Sequence, residues 1–286
     1  MPGTLFIVAT PIGNLEDITQ RALQVLREVD LIACEDTRHT RKLLHHFGIT
    51  TATVSYHEHN EQDRAEELCD LLESGRNVAL VSDAGTPLIN DPGFRIVHLA
   101  IDRGLSVVPI PGASALIAGL SASGLATDQF LFAGFLPSRR GARRTKLTEL
   151  TSIPATLVFY EAPHRIKATL KDAREVLGDR ETVIARELTK LHEEFMRGSL
   201  SELIDLFAKS EAARGEMVLI ISGHQVGSPS SPQTTSFDEQ LSERIEELER
   251  NGLDSKTALK KAAKELGLKR DDAYRIMVDQ KNRRSK

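Results

Sequence analysis

Residues 79–93 read ALVSDAGTPLINDPG, and the rest of the chain can be placed around them. Ala79, Leu80, Val81 and Ser82 alternate poorly and are mostly apolar, the pattern of a short strand hidden on both faces. The stretch then breaks into Asp83, Ala84, Gly85, Thr86 and Pro87 and closes on Asn90, Asp91, Pro92 and Gly93. Such a loop puts free backbone N–H groups and carboxylates at the carboxyl end of a buried strand. In open α/β sheets that is where ligands sit. An ordinary strand-to-helix connection needs a glycine or a proline, but not three Asx residues with two of each, so a ligand loop is the better reading.

The same alternation extends on both sides. Upstream, residues 5–9 (LFIVA) read as a first buried strand that leaves through Thr10, Pro11, Ile12, Gly13 and Asn14. Ile18, Ala22, Val25, Leu26 and Val29 follow at helical spacing. A second strand at 31–34 ends in Glu35, Asp36, Thr37 and Arg38; residues 40–47 look helical, 53–55 form a short strand and 62–72 a helix. Downstream, residues 94–102 are helical and 105–110 (LSVVPI) form a fifth strand ending in Pro111, Gly112, Ala113 and Ser114. Strands alternating with helices predict a parallel sheet with right-handed crossovers, so the loops that follow the strands share one edge.

From Phe130 the pattern changes to short strands at 130–134, 156–160, 182–186, 195–198 and 217–222, some separated by helices at 166–176 and 201–207. That predicts a mixed sheet and a second domain. The expected organisation is an α/β domain over 1–112, a second α/β domain over 113–224, a Ser/Pro/Thr linker over 225–237 and a charged helical tail over 238–286.

Composition narrows the classes. A formal charge of −4 gives no whole-molecule case for binding a polyanion, so any such contact needs a local patch. Cys34 and Cys69 lie far apart and outside metal-ligand spacing, as expected of reduced thiols in a cytoplasmic protein. No charged leader precedes the apolar run at 5–9 and no apolar stretch reaches membrane-spanning length, so a soluble protein without a membrane partner is expected. There is no G-x-G-x-x-G after the first strand and no P-loop, which speaks against a dehydrogenase or P-loop enzyme. His57 and His59 lack a third ligand, so no metal is expected, and Ser82 lacks the hydrolase elbow.

Three charged segments have two readings each. Residues 138–146 (SRRGARRTK) gather Arg139, Arg140, Arg143, Arg144 and Lys146 without one acid, as a phosphate-binding loop or a solvated basic one. Residues 182–190 place Arg186, Glu187, Thr189 and Lys190 just past a buried strand, as a site or as an ion-pair network at a domain boundary. Residues 255–279 read helix, turn at Gly267 and Leu268, helix. That pattern is similar to a small helix-turn-helix, with Lys260, Lys261, Lys264, Lys269, Arg270 and Arg275 outward, and equally to a plain helical hairpin.

Taken together, residues 9–22 (ATPIGNLEDITQRA), 34–40 (CEDTRHT), the 79–93 stretch, 109–115 (PIPGASA), 134–137 (GFLP), 159–165 (FYEAPHR), 185–190 (ARELTK) and 215–218 (GEMV) resemble the ribosomal RNA small subunit methyltransferase I family. That family belongs to the tetrapyrrole-methylase-like superfamily. The likeness runs from about Thr4 to His224 and more weakly into the tail. It implies a class III methyltransferase fold, two α/β domains enclosing S-adenosylmethionine, and 2′-O-methylation of a cytidine in the decoding region of 16S rRNA. It also implies a homodimer and a substrate that is an assembled small subunit.

Carried onto this chain, the resemblance places the donor against Pro11, Gly13 and Asn14, against Asp83, Ala84, Gly85, Thr86 and Pro87, and against Pro111, Gly112, Ala113 and Ser114. Tyr160, Arg186, Gly215, Glu216 and Met217 would close over it from the second domain. Superfamily members that act on tetrapyrroles carry a glycine-rich first loop and a Gly-Asp-Pro turn, where this chain has Thr-Pro-Ile-Gly-Asn and Asp-Ala-Gly-Thr-Pro. A ribose 2′-hydroxyl is a poor nucleophile, and Glu187, Lys190, Glu161 and Asp36 are candidates to assist it, none ranked above the others. Asp83 and Asp91 would favour the sulfonium or fix their loop, and Arg139, Arg140, Arg143, Arg144, Lys146 and the tail would grip rRNA phosphates. A corrin or tetrapyrrole methylase and a non-catalytic ribosome-assembly factor are the rival readings. The cationic run and the CEDTRHT block speak against the first, and the intact glycine loops against the second.

Overall fold

In a computed structural model, which describes residues 1–209, 215–224, 244–245, 248–250 and 254–265, the 79–93 stretch opens with the central strand of a parallel sheet. The elements of that half are β1 (Thr4–Val8), α1 (Gln20–Glu28), β2 (Leu31–Cys34), α2 (Thr37–His46), β3 (Thr53–Ser55), α3 (Glu61–Glu73), β4 (Val78–Val81), α4 (Phe94–Asp102) and β5 (Ser106–Ile110). The strand order is β3-β2-β4-β1-β5, every pair parallel. All four residues of β4 are buried because both faces of the sheet are covered. Leu5, Val78 and Leu80 pack with α3 and α4 through Leu68, Leu72 and Ile96, while Val8, Ala79 and Val81 pack with α1 and α2 through Leu26 and Leu44. This is why the sequence of β4 shows no alternation.

Caps define where the helices begin. Thr19 accepts the Ala22 N–H at 3.1 Å ahead of α1, and Asp36 accepts the Arg38 N–H at 2.8 Å ahead of α2. Such side chains satisfy donors that the first helical turn leaves free.

After Ile110 the chain passes into α5 (Ala115–Ser121), then β6 (Phe130–Phe135), α6 (Arg140–Glu149), β7 (Thr156–Glu161), α7 (Ile166–Leu177), β8 (Glu181–Arg186), β9 (Glu194–Ser199), α8 (Leu200–Ala208) and β10 (Met217–Ile221). The second sheet has the order β6-β7-β10-β8-β9, with β6 and β7 parallel and the other pairs antiparallel, as the mixed-sheet expectation has it. Helices α6, α7 and α8 cover one face through Leu147, Leu170 and Leu203; α5 covers the other through Leu116 and Leu120. A Cβ on Gly119 would lie 3.3 Å from Val218, so α5 sits tight against the sheet.

The ten strand positions read from the sequence match these elements to within one residue at each end. The 138–146 segment does not: Arg140–Glu149 is a helix, not a loop. Arg143 and Leu147 are its buried residues, one turn apart, so an arginine occupies a place on the apolar stripe and masks the period.

The chain divides into two compact units, Met1–Val226 and Gly227–Lys286. In the second, α9 (Ser255–Glu265) is a helix with Ala258, Leu259, Ala262 and Ala263 buried. The 225–237 linker, the turn at Gly267 and the second tail helix lie outside the described residues.

Candidate active site

The loops after β1, β4 and β5 meet because those strands are neighbours in the order β4-β1-β5 and run the same way. Thr10 and Gly85 exchange backbone hydrogen bonds of 2.9 and 3.0 Å, an isolated antiparallel bridge between two loops. The Thr10 hydroxyl donates to the Ser82 carbonyl at 3.1 Å, and the Thr86 hydroxyl to that of Ala113 at 3.2 Å. Gly85 has φ of 84°, a conformation glycine adopts without strain.

From the second sheet, the carboxyl ends of β7 and β8 and the start of β10 come to the same place, because Met217 lies in register with both Glu161 and Arg186. Between the two sets of strand ends lies a cavity of about 320 Å³, within the size range of small-molecule sites. Of the residues expected at the donor, Ala84, Gly85, Thr86, Ser114, Tyr160, Glu216 and Met217 line it, as does the catalytic candidate Glu161.

The others stand around the wall. Asp83 accepts the Asp36 N–H at 3.2 Å, Pro11 and Pro87 are buried, and Gly112 rests on Ala9, where a Cβ would come to 3.0 Å. Pro111 is exposed beside it, and the Ala113 carbonyl is taken by Thr86. Arg186 points to Glu194, with an Nη2–Oε2 distance of 2.6 Å, and the wall is supplied by its neighbour Ala185.

Sequence reasoning singled out none of Phe135, Leu188, Val218, Ala162 and Pro163, whereas Ile12, Ile89 and Asn90 of the wall lie in the loops it had placed at the ligand. Phe135, Ala162 and Pro163 sit in the GFLP and FYEAPHR blocks, which were the available signal. The Tyr160 ring packs on Phe132 and Phe135 at centroid distances of 4.9 and 5.7 Å. Burial pushes its phenol above the ordinary value, partly offset by a hydrogen bond from the Leu116 backbone.

Among the described lining residues there is no Lys, Arg or His, while Asp91, Glu161 and Glu216 supply carboxylates. A largely apolar cleft whose described lining offers acids but no basic side chain suits a ligand with both apolar and cationic parts. No group of His, Cys, Asp and Glu among the described residues is arranged to hold a metal ion.

Glu187 and Lys190 form a clasp beside the cavity rather than part of its wall. The Lys190 ammonium lies 2.9 Å from Glu187 and 3.0 Å from Glu216. Its stem rests on Gly13, where a Cβ would fall 2.6 Å from Cγ of Lys190, and Asn14 N–H donates to the Thr189 hydroxyl at 3.1 Å. Burial alone would lower the ammonium's pKa, but the two carboxylates hold it above the ordinary value. The hydrogen bond from Lys190 holds Glu187 below its own ordinary value.

Glu187 and Thr189 have φ of 50° and 65°, and Leu88 and Asn90 have 71° and 67°. These four are the non-glycine residues with positive φ among those described, and all lie in the two loops beside the cavity. Strain of this kind collects at functional sites. Gly215 has φ of 83°, and a Cβ there would fall 2.4 Å from Cγ of Glu187. Gly215→Ala is expected to expel Glu187 from the clasp and lower stability by about 1–3 kcal/mol, read as a shifted urea midpoint at unchanged slope.

The cationic run is largely neutralised by α7. Arg143 is buried, with Nη2 and Nε at 2.6 and 2.8 Å from Asp172 Oδ2 and Nη1 donating to the Ser138 carbonyl at 3.1 Å. Arg140 reaches Asp172 at 3.1 Å, Arg144 pairs with Glu175, and Lys146 meets Glu149 at 3.0 Å. Arg139 is exposed. The expectation that Arg143 grips phosphate is therefore corrected, since its guanidinium is enclosed and already paired.

Two sheets meeting at a cleft of strand-end loops define a tetrapyrrole-methylase type of protein, and the profile of the family Tetrapyrrole (Corrin/Porphyrin) Methylases matches residues 4–204. A solved structure of similar fold is uroporphyrin-III C-methyl transferase from Thermus thermophilus, complexed with S-adenyl homocysteine. It has a TM-score of 0.54 and 21% identity, covering 76% of this chain and 97% of that one. Curated relatives are closer in sequence. The ribosomal RNA small subunit methyltransferase I of Halalkalibacterium halodurans is 49% identical over 276 residues, 96% of this chain and 94% of that protein. The protein of the same name from Synechocystis is 47% identical over 278 residues, 97% and 98% of the two chains. The chain belongs to the tetrapyrrole methylase family and, within it, to the ribosomal RNA small subunit methyltransferase I group.

Proposed function

We propose that this chain transfers a methyl group from S-adenosylmethionine to the ribose 2′-hydroxyl of a cytidine in the decoding region of 16S rRNA, within the small ribosomal subunit. The observation that carries the reading is the cleft whose described lining bears acids and no Lys, Arg or His, in a chain that matches proteins of that name along nearly its whole length. The chemistry expected of a donor bound there is transfer of a methyl already activated by its sulfonium sulfur. The residues of the chain would hold and orient it: Gly85 and Ser114 by close backbone approach, and Ile12, Leu188 and Met217 by apolar contact. Orientation of this kind can supply up to about 7–11 kcal/mol of the barrier.

The two sheets are read as two domains, 1–112 and 113–224, that share the cleft. The protein is taken to act as a cytoplasmic homodimer. Among the described residues no helix is long and apolar enough to cross a membrane.

The test is incubation with tritiated donor and small subunits lacking the modification, followed by nucleoside analysis. Label in 2′-O-methylcytidine is the expected result. Label in a base, or in an offered corrin precursor alone, overturns the proposal. With most of the cationic run paired internally, Arg139 is the phosphate contact expected from α6 and its approach. Arg139→Ala should weaken subunit binding and reduce the slope of log affinity against log salt by about 1, with donor affinity unchanged. An unaltered slope would show that this face does not meet RNA.

A further inference from the structure

We propose that Asp91 accepts the proton of the attacking hydroxyl, an assignment that rests on the methyl-transfer reading above. The wall carries three carboxylates, and two are already committed. Glu161 is buried, takes the Thr169 hydroxyl and the Ala162 N–H, and has Arg165 Nε at 3.3 Å. Glu216 points largely to solvent, with Lys190 3.0 Å away. The candidates off the wall fare no better. Asp36 caps α2 and pairs with Arg38, whose hydrogen bonds bring it down to about 2, and the Glu187–Lys190 pair holds the amine charged.

Asp91 is the wall carboxylate for which no Lys, Arg or His partner is found among the described residues. It sits half-buried between Asn90 and Gly93, whose φ values of 67° and 140° turn the loop there. The loop is pressed onto its surroundings on both sides. A Cβ on Gly93 would fall 2.8 Å from Leu80 Cδ2, and one on Gly134 would fall 2.5 Å from Asn90 Oδ1. The carboxylate is therefore carried on backbone with little room to shift. What faces it is the Ser82 hydroxyl on its own loop, Asp83 and Glu35 at the ends of β4 and β2, and the Tyr160 phenol from β7.

Burial first, and then repulsion from Glu35, push Asp91 up to about 6, against a weaker lowering by Ser82. A base poised near the working pH keeps both a large ionised fraction and a driving force for taking a proton. In the step, the hydroxyl proton passes to a carboxylate oxygen of Asp91 as the hydroxyl oxygen's electron pair forms the new O–CH3 bond. The electron pair of the broken S–CH3 bond remains on sulfur, which becomes a neutral thioether. Asp91, now a carboxylic acid, returns its proton to water.

Asp91→Asn keeps the shape and removes the proton acceptor. Single-turnover transfer to small subunits should fall about 10²–10⁴-fold. Binding of S-adenosylhomocysteine by calorimetry, and of subunits by filter assay, should stay within about threefold on the 1.4 kcal/mol-per-decade scale. The wild-type rate should rise with pH through about 6, and Asp91→Asn should lack that limb. Independently of any ligand, a carboxyl resonance of aspartate-labelled wild-type protein should titrate near 6 and be missing in the variant. A full-rate Asp91→Asn with the same pH limb, or a wild type with no aspartate titrating near that value, overturns the assignment. Loss of S-adenosylhomocysteine affinity in the variant does so too. Failure of the methyl-transfer reading shows up separately, as a wild type that labels no subunit while its Asp91 still titrates.

Discussion

Asp172→Ala is expected to destabilise the protein by about 3–5 kcal/mol, because it strands a buried guanidinium. Arg143 is 4% exposed and Asp172 2%, and Arg143 brings two nitrogens to one carboxylate oxygen. Arg140 takes the other oxygen at 3.1 Å. Removing the acid leaves the buried Arg143 with only the Ser138 carbonyl to satisfy it. The double change Arg143→Met with Asp172→Leu should recover most of the loss, since well-packed apolar replacements of buried pairs are often neutral or stabilising. Urea unfolding of the three proteins makes the comparison, and a single variant within about 1 kcal/mol of wild type would reject it.

The pair also fixes a pH dependence. Burial tends to raise the Asp172 pKa, but the hydrogen bonds and charges of Arg143 and Arg140 more than offset it and hold the carboxyl below its ordinary value. A lowered folded pKa stabilises fully above the unfolded value of about 3.9, and that contribution disappears as pH falls through the folded one. The acid limb of the wild-type stability curve should therefore be steeper than that of the double variant.

Gly85→Val is expected to weaken donor binding several-fold to about 150-fold while leaving a folded protein. The residue has φ of 84°, where left-handed backbone costs an L-residue roughly 1–2 kcal/mol. Its Cβ would stand 3.3 Å from Ile12 Cγ2 and 3.8 Å from the Ala113 carbonyl, and the two γ-methyls of valine must extend further into the meeting point of three loops. Overpacking of that kind adds about 1–3 kcal/mol. Where it falls on the bound state, affinity drops between roughly fivefold and 150-fold. Gly85→Ala separates the two effects: it carries the backbone penalty with a single methyl, so its melting point falls while its donor affinity remains close to wild type. Calorimetric titration reads both, and equal affinities for valine and glycine would show that the cleft does not use this approach.

Much of the fold could be read in advance because each strand is a short apolar run stopped by glycine, proline or an acid. The loops of the first sheet were legible for the same reason, since punctuation follows every strand in turn and parallel neighbours must place those loops at one edge. The apolar part of the second wall was not legible, although Tyr160, Glu216 and Met217 on it were named. Phe135, Leu188 and Val218 look in sequence like any core residue, and only the antiparallel registers of β10 with β7 and β8 bring them to the cavity. Asp91 was in view as a loop residue, but that no described Lys, Arg or His pairs with it became visible only from the folded structure, as did the partners of Glu161, Glu216 and Asp36. The pairing of the basic run was not legible because Asp172 and Glu175, which meet Arg140, Arg143 and Arg144, lie on another helix. Asp172 is 29 residues from Arg143 in the chain, and no local pattern announces it.

The clasp at Lys190 has a consequence for how this sequence can change over generations. One lysine lies on Gly13, shares its charge between Glu187 and Glu216, and depends on the bare backbone of Gly215 to leave Glu187 its place. Three remote stretches of the gene product thus constrain one another. A bulkier side chain at 13 or 215 can persist only when a shorter one arises at 187 or 190, so these positions drift in concert or stand still.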